Sequence, residues 1–163
     1  MALDRLMRRL FPLLERKGNP QGLTALKQDW EALSSHDPMW AIISDPTKLG
    51  NKWDKEEFFA VGRREIGEIM AYIESLGAGR GRRRALDFGC GVGRLTQALA
   101  DMYDLVDGVD ISEGMVRLAR EYNTRGEKAR YTVNCADTLP YQPDSFDLVY
   151  TNIVLQHMEK RFA

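Results

Sequence analysis

The stretch RALDFGCGVGRLTQALA, Arg84 to Ala100, decides how this chain is read. An apolar run closes at Phe88, and glycines follow at 89, 91 and 93. Leu95, Ala98 and Leu99 then recur at helical spacing. The order is strand, turn, helix. Glycine in such a turn permits positive φ and removes the Cβ that would keep a ligand off the backbone. The helix that follows offers free N–H groups and a partial positive charge, which suit a carboxylate or a phosphate.

The alternation repeats downstream. LVDGVDI reads as a strand and SEGMVRLAREYN as a helix capped by Ser112; ARYTVNC and FDLVYTNIV read as a third and a fourth strand. Such a pattern predicts an α/β fold with a parallel sheet, whose ligands bind beyond the carboxyl ends of the strands. A dinucleotide loop of the G-x-G-x-x-G/A type wants a small residue at position 94, and this chain has Arg94. A second acid is due at the end of the second strand, and Asp110 stands there. Its carboxylate can accept from both hydroxyls of a ribose, with Ile111 flat against a base. Asp104 and Asp107 fit the commoner solvent-facing role.

Working outward, residues 1–79 predict a helical segment. Leu3, Leu6, Met7, Leu10 and Leu14 form one stripe, with a kink or restart at Pro12. That stripe suits docking on this domain or on another subunit, with a membrane-surface helix as the alternative. Leu23, Leu26, Trp30 and Leu33 form a second short helix. SSHDPMWAIISDPTKLGNKW reads as an ordered loop anchored by Trp40 and Trp53. Asp54 and Glu57 make a capping box that starts a long helix. Phe58, Gly62, Ile66, Ile69, Met70, Ile73 and Leu76 give its buried face, and Gly77 stops it. The arginines of GRGRRR then read as a solvated connection into residues 80–163.

Composition adds bounds. With 163 residues, 44% apolar and 29% charged, the chain is of ordinary globular type. A net charge of −1 supplies no field that recruits nucleic acid, and no apolar run suits a membrane span. Two cysteines and two histidines show no disulfide or metal spacing, so the expectation is a cytoplasmic protein without a metal site.

Residues 84–157 resemble the class I S-adenosylmethionine-dependent methyltransferases through LDFGCGVG, VDGVDIS and NCADTLPYQPDSFDLVYTNIVLQH, in that order. The resemblance implies a Rossmann-like parallel sheet of order 3-2-1-4 behind an N-terminal helical extension that serves as a lid. It implies that Asp87, Gly89, Gly91 and Gly93, with Cys90 fitting the turn between them, line the methionine part of S-adenosylmethionine. Asp110 and Ile111 then hold ribose and adenine, and Ala136 and Asp137 read the adenine edge. Asn152 sits beside the methyl-bearing sulfur, and His157 is the candidate base near a small-molecule acceptor.

The family sheet has seven strands, whereas this chain ends at Ala163, shortly after the fourth. The expectation is therefore a truncated sheet with an exposed apolar fourth strand, and self-association through that edge or through the N-terminal helices. Three readings stay open: a methyltransferase, a cofactor-binding module without turnover, and a nicotinamide-dependent oxidoreductase, which Arg94 disfavours.

Overall fold

The computed structural model describes residues 22–78 and 81–158. The stripe from Leu3 to Leu14, Pro12, Arg80 and everything after Met158 lie outside the described residues. Helix α1 spans Leu23–His36, α2 Pro38–Ile42 and α3 Lys55–Ser75. Strand β1 (Arg84–Phe88) leads into α4 (Arg94–Leu99), β2 (Leu105–Asp110) into α5 (Glu113–Tyr122), then β3 (Ala129–Val133) and β4 (Leu148–Tyr150).

All strand pairs are parallel, in the order β3-β2-β1-β4. Chain order reverses beside β1, so the carboxyl ends of β1, β2 and β4 open onto a topological switch point. The start of β1 is locked by Asp147, whose Oδ2 accepts from the backbone N–H groups of Arg83 (2.8 Å) and Arg84 (3.0 Å). Arg82 pairs with Glu74 at 2.7 Å. The basic connection is thus a structural tie. Arg84 pairs at 2.8 Å with Asp107, which is buried in mid-strand and not solvent-facing as expected; Asp104 is exposed.

The caps explain where the helices start. Asp54 accepts from the Glu57 N–H at 2.9 Å, and Ser112 accepts from the Met115 N–H at 3.1 Å. The stretch after His36 is more regular than expected. Asp37 caps α2 with Pro38 at its first position, and a 3-10 turn follows at Pro46–Lys48. Trp40 and Trp53 are buried anchors, as expected. Leu76 is 64% exposed because α3 ends at Ser75 and the chain turns away at Gly77, where φ is +69°.

The helical segment has no core to itself. Ile66 and Met70 of α3 share one cluster with Ala85, Leu99 and Val106, while Phe58 and Trp40 share the other with Val92 and Met115. Where α3 crosses α4, Gly62 makes the contact possible. A Cβ there would lie 2.7 Å from Arg94 Cγ and 2.8 Å from the Arg94 carbonyl oxygen. Alanine improves helix propensity by about 1 kcal/mol, but overpacking costs about 1–3 kcal/mol, and main chain cannot swing aside. Gly62→Ala is therefore expected to lower stability, by up to about 2 kcal/mol, in urea denaturation. A raised midpoint would contradict this packing.

Strand β4 is paired only through β1 among the described residues, and Val149 on it is 59% exposed. The strand is shorter than FDLVYTNIV suggested. Pairing stops at Tyr150, and Ile153 adopts a left-handed φ of +59° that ends any extended run.

Candidate functional site

The turn after β1 is strapped to the end of β2. The N–H groups of Gly89 and Cys90 both donate to the Val109 carbonyl, at 2.8 and 3.0 Å. The Gly91 N–H donates to Asp110 Oδ2 at 2.8 Å, and the Ser112 N–H to Asp110 Oδ1 at 2.9 Å. Such a path needs positive φ at Gly89 (+80°) and Gly91 (+53°). Space demands glycine too. A Cβ on Gly89 would meet Val154 Cγ2 at 2.2 Å, and one on Gly91 would meet Ile42 Cδ1 at 2.6 Å.

Against this turn lies a cavity of about 140 Å³. Its wall brings together Gly89, Gly91, Asp110, Ile111, Ala136, Asn152 and His157 from the residues expected at the site. Leu23, Leu26 and Trp30 of α1 close one side, and Ile42 and Val154 stand over the glycines. Small-molecule sites ordinarily measure roughly 300–1,000 Å³. The open volume lies below that range, with Ile42 and Val154 packed close to the glycines.

The other expected residues lie elsewhere. Asp87 is buried in mid-sheet, where its Oδ2 accepts from the Thr96 hydroxyl at 2.6 Å. Cys90 is buried beneath the turn, and burial pushes its thiol pKa well up. Gly93 faces the core, since a Cβ there would meet the Tyr131 hydroxyl at 2.6 Å. Asp137 is exposed and outside the cavity wall. The Ala136 N–H donates to Asn134 Oδ1 at 3.3 Å, so Asn134 shapes that loop and also lines the cavity.

Two of the acids expected at the site, Asp87 and Asp110, have raised pKa values. Burial pushes Asp87 up to about 6, against the Thr96 hydrogen bond and the charge of Arg94. Loss of water raises Asp110 as well, opposed by the N–H groups of Ser112 and Gly91. His157 lies in a 3-10 turn, Leu155–His157, with its ring edge-on to Trp30 at 5.7 Å. Among the described residues no three His, Cys, Asp or Glu side chains converge as a metal site, and no helix is long and apolar enough to cross a membrane.

One residue that the sequence reading passed over ties the site together. Glu65 of α3 accepts from Arg94 Nη1 at 2.8 Å through Oε2. Through Oε1 it accepts from the Tyr150 hydroxyl at 3.0 Å and from Asn152 Nδ2 at 2.6 Å. Burial, then the Glu65 charge, push the Tyr150 hydroxyl up to about 12. A signal was present: Glu65 lies three residues after Gly62 and one before Ile66, on the stripe that packs.

Residues 85–162 match the family model described as a methyltransferase domain. Malonyl-(acyl-carrier protein) O-methyltransferase of Methylococcus capsulatus is 32% identical over 101 residues, covering 60% of this chain and 36% of that protein. Ubiquinone biosynthesis O-methyltransferase of Idiomarina loihiensis is 32% identical over 108 residues, covering 65% and 44%. The chain thus spans less than half the length of these curated relatives. The solved structure of Haemonchus contortus phosphoethanolamine N-methyltransferase 1, in complex with phosphoethanolamine and S-adenosylhomocysteine, aligns with a TM-score of 0.64 at 22% identity. It covers 86% of this chain and 27% of that one, and the likeness is one of fold.

Proposed function

We propose that this chain, whose residues 85–162 match the methyltransferase domain family, is a class I S-adenosylmethionine-dependent methyltransferase that binds S-adenosylmethionine at the glycine turn and serves methyl transfer to a small organic acceptor. The observation that carries this reading is Asp110. Its carboxylate stands on the cavity wall between Gly91 and Ile111, where a ribose would meet it.

Gly89 and Gly91 line the cavity where the methionine part would lie, and neither has room for a Cβ. Ile111 and Ala136 border the space for adenine, and Asp137, exposed on the same loop, would have to turn inward to reach the exocyclic amine. Asn152 offers its main-chain carbonyl to the cofactor's amino group. Asp87, Cys90 and Gly93 act from beneath, setting the turn through Thr96 and Tyr131. When bound, S-adenosylmethionine supplies an electrophilic methyl group on a sulfonium. The protein's own part is to orient it, exclude water and keep the acceptor in line. His157, on the same wall, is placed to take the acceptor's proton. The O-methyltransferase names of two relatives favour an oxygen acceptor, and the net charge of −1 gives nucleic acid no attraction.

Calorimetric titration with S-adenosylmethionine, S-adenosylhomocysteine and NAD tests the reading. The first two are expected to bind and NAD to bind far more weakly. Tighter binding of NAD would sink it. Transfer of a labelled methyl group separates an enzyme from a module that binds without turnover.

A further inference from the structure

The Glu65 carboxylate joins three elements: α3, α4 and β4. It is three-quarters buried, with a side-chain exposure of 26%, and it reaches from α3 to the first residue of α4 and to the end of β4. Arg94 is 6% exposed, so its guanidinium depends on this partner. The Asn152 side chain points back to Glu65, while Asn152 also borders the cavity.

Ile153 makes that tether consequential. A β-branched residue at φ +59° is a backbone outlier, held in a conformation that its Cβ disfavours. Its side chain is 63% exposed, so burial of Ile153 does not compensate. The conformation is instead bracketed by Asn152 held on Glu65 and by Val154 seated over Gly89. Releasing Asn152 would let this turn relax, and the Asn152 carbonyl would lose its direction.

We propose that Glu65 is a positioning residue for the methyl-donor site: through Arg94 and Asn152 it fixes the glycine turn and the 152–154 turn in one frame. The inference rests on the methyl-donor reading above. A carboxylate is required because Oε1 accepts two hydrogen bonds and Oε2 a third. Glutamine at 65 has one acceptor oxygen, so its NH2 group must face either Arg94 or the Asn152 amide, donor against donor.

The test is calorimetric titration of the full chain with S-adenosylmethionine, with thermal unfolding recorded in parallel. Glu65→Gln is expected to raise Kd about tenfold or more. Asn152→Asp alone, which sets two carboxylates face to face, is expected to do the same. The double variant Glu65→Gln/Asn152→Asp keeps the net charge and restores a donor–acceptor pair with its polarity reversed. It is expected to bind more tightly than either single variant, with incomplete recovery because Arg94 still loses its charged partner. General loosening of the fold would not be rescued by that exchange. If Glu65→Gln does not fold, Asn152→Ala, which retains the main-chain carbonyl, is expected to weaken binding at least about fivefold. Parental affinity in folded Glu65→Gln or Asn152→Ala, or a double variant no better than the singles, overturns the inference. A parent chain that binds no S-adenosylmethionine removes the donor reading itself, and this inference with it.

Discussion

Replacing Asp110 with alanine is expected to weaken S-adenosylmethionine binding by about ten- to a hundredfold or more, in a protein that stays folded. A hydrogen bond to a charged group contributes about 1.5–3 kcal/mol, and each 1.4 kcal/mol is about tenfold in Kd. The carboxylate has a second duty, since it accepts from the N–H groups of Gly91 and Ser112 and so aims the glycine turn. Alanine loses both the ribose contact and the strap. Folding is affected less, because burial already raises the Asp110 pKa and its removal relieves that penalty while two hydrogen bonds are lost. The raised pKa also gives a direction with pH. The ionised form is the better acceptor, so affinity should strengthen as pH rises through the Asp110 titration, and the alanine variant should lack that dependence. Titration calorimetry across pH 4 to 8 measures both effects. Unchanged affinity in the folded variant would remove Asp110 from the ribose role.

The sheet was legible because its signals are local. A short apolar run before GCGVG, Asp110 at the next strand end and Ser112 at the next helix start each specify their own few residues. Where the reading slipped, a local signal had two uses. Pro38 lies in a stretch whose composition predicts a loop, yet after Asp37 it opens a helix, because the first helical position has no need of an N–H. Leu76 continues the apolar stripe of α3, but the stripe outlasts the surface it packs on. The length of β4 depends on where its pairing with β1 stops, which its own apolar residues do not encode.

The site was legible in part, for a related reason. Residues at strand ends are placed by the sheet alone, so Gly89, Gly91, Asp110 and Ile111 meet at the cavity. Asp87 is one residue short of the end of β1, and that shift turns its side chain into the core. Glu65 lies 22 positions before Asp87 on another element. Its role arises from packing α3 on α4, which Gly62 permits and no spacing announces. Arg94 held the clue: a cation at a buried turn needs an acid nearby.

Replacing Asp87 with asparagine is expected to make the protein more stable above neutral pH and to flatten its stability between pH 4 and 7. Asp87 is 1% exposed, and burial holds its pKa at about 6 against an ordinary 3.8. The folded state thus binds this proton more tightly than the unfolded chain does. Its stabilising contribution is complete below about pH 3.8 and disappears as pH rises through about 6. A shift of about two units corresponds to about 3 kcal/mol, with no discount for solvent at so buried a group. Asparagine carries no charge, and its carbonyl oxygen can keep the hydrogen bond from Thr96. Its NH2 group lacks an evident acceptor and costs about 1–3 kcal/mol at every pH. The absolute gain at pH 7.5 is therefore smaller than the change in slope, and the slope is the cleaner observable. Urea denaturation at pH 4 and pH 7.5 should show the parent losing about 2–2.5 kcal/mol relative to the variant over that interval. Parallel curves would mean that Asp87 does not change ionisation there, and that Thr96 and Arg94 hold its pKa near the ordinary carboxylate value after all.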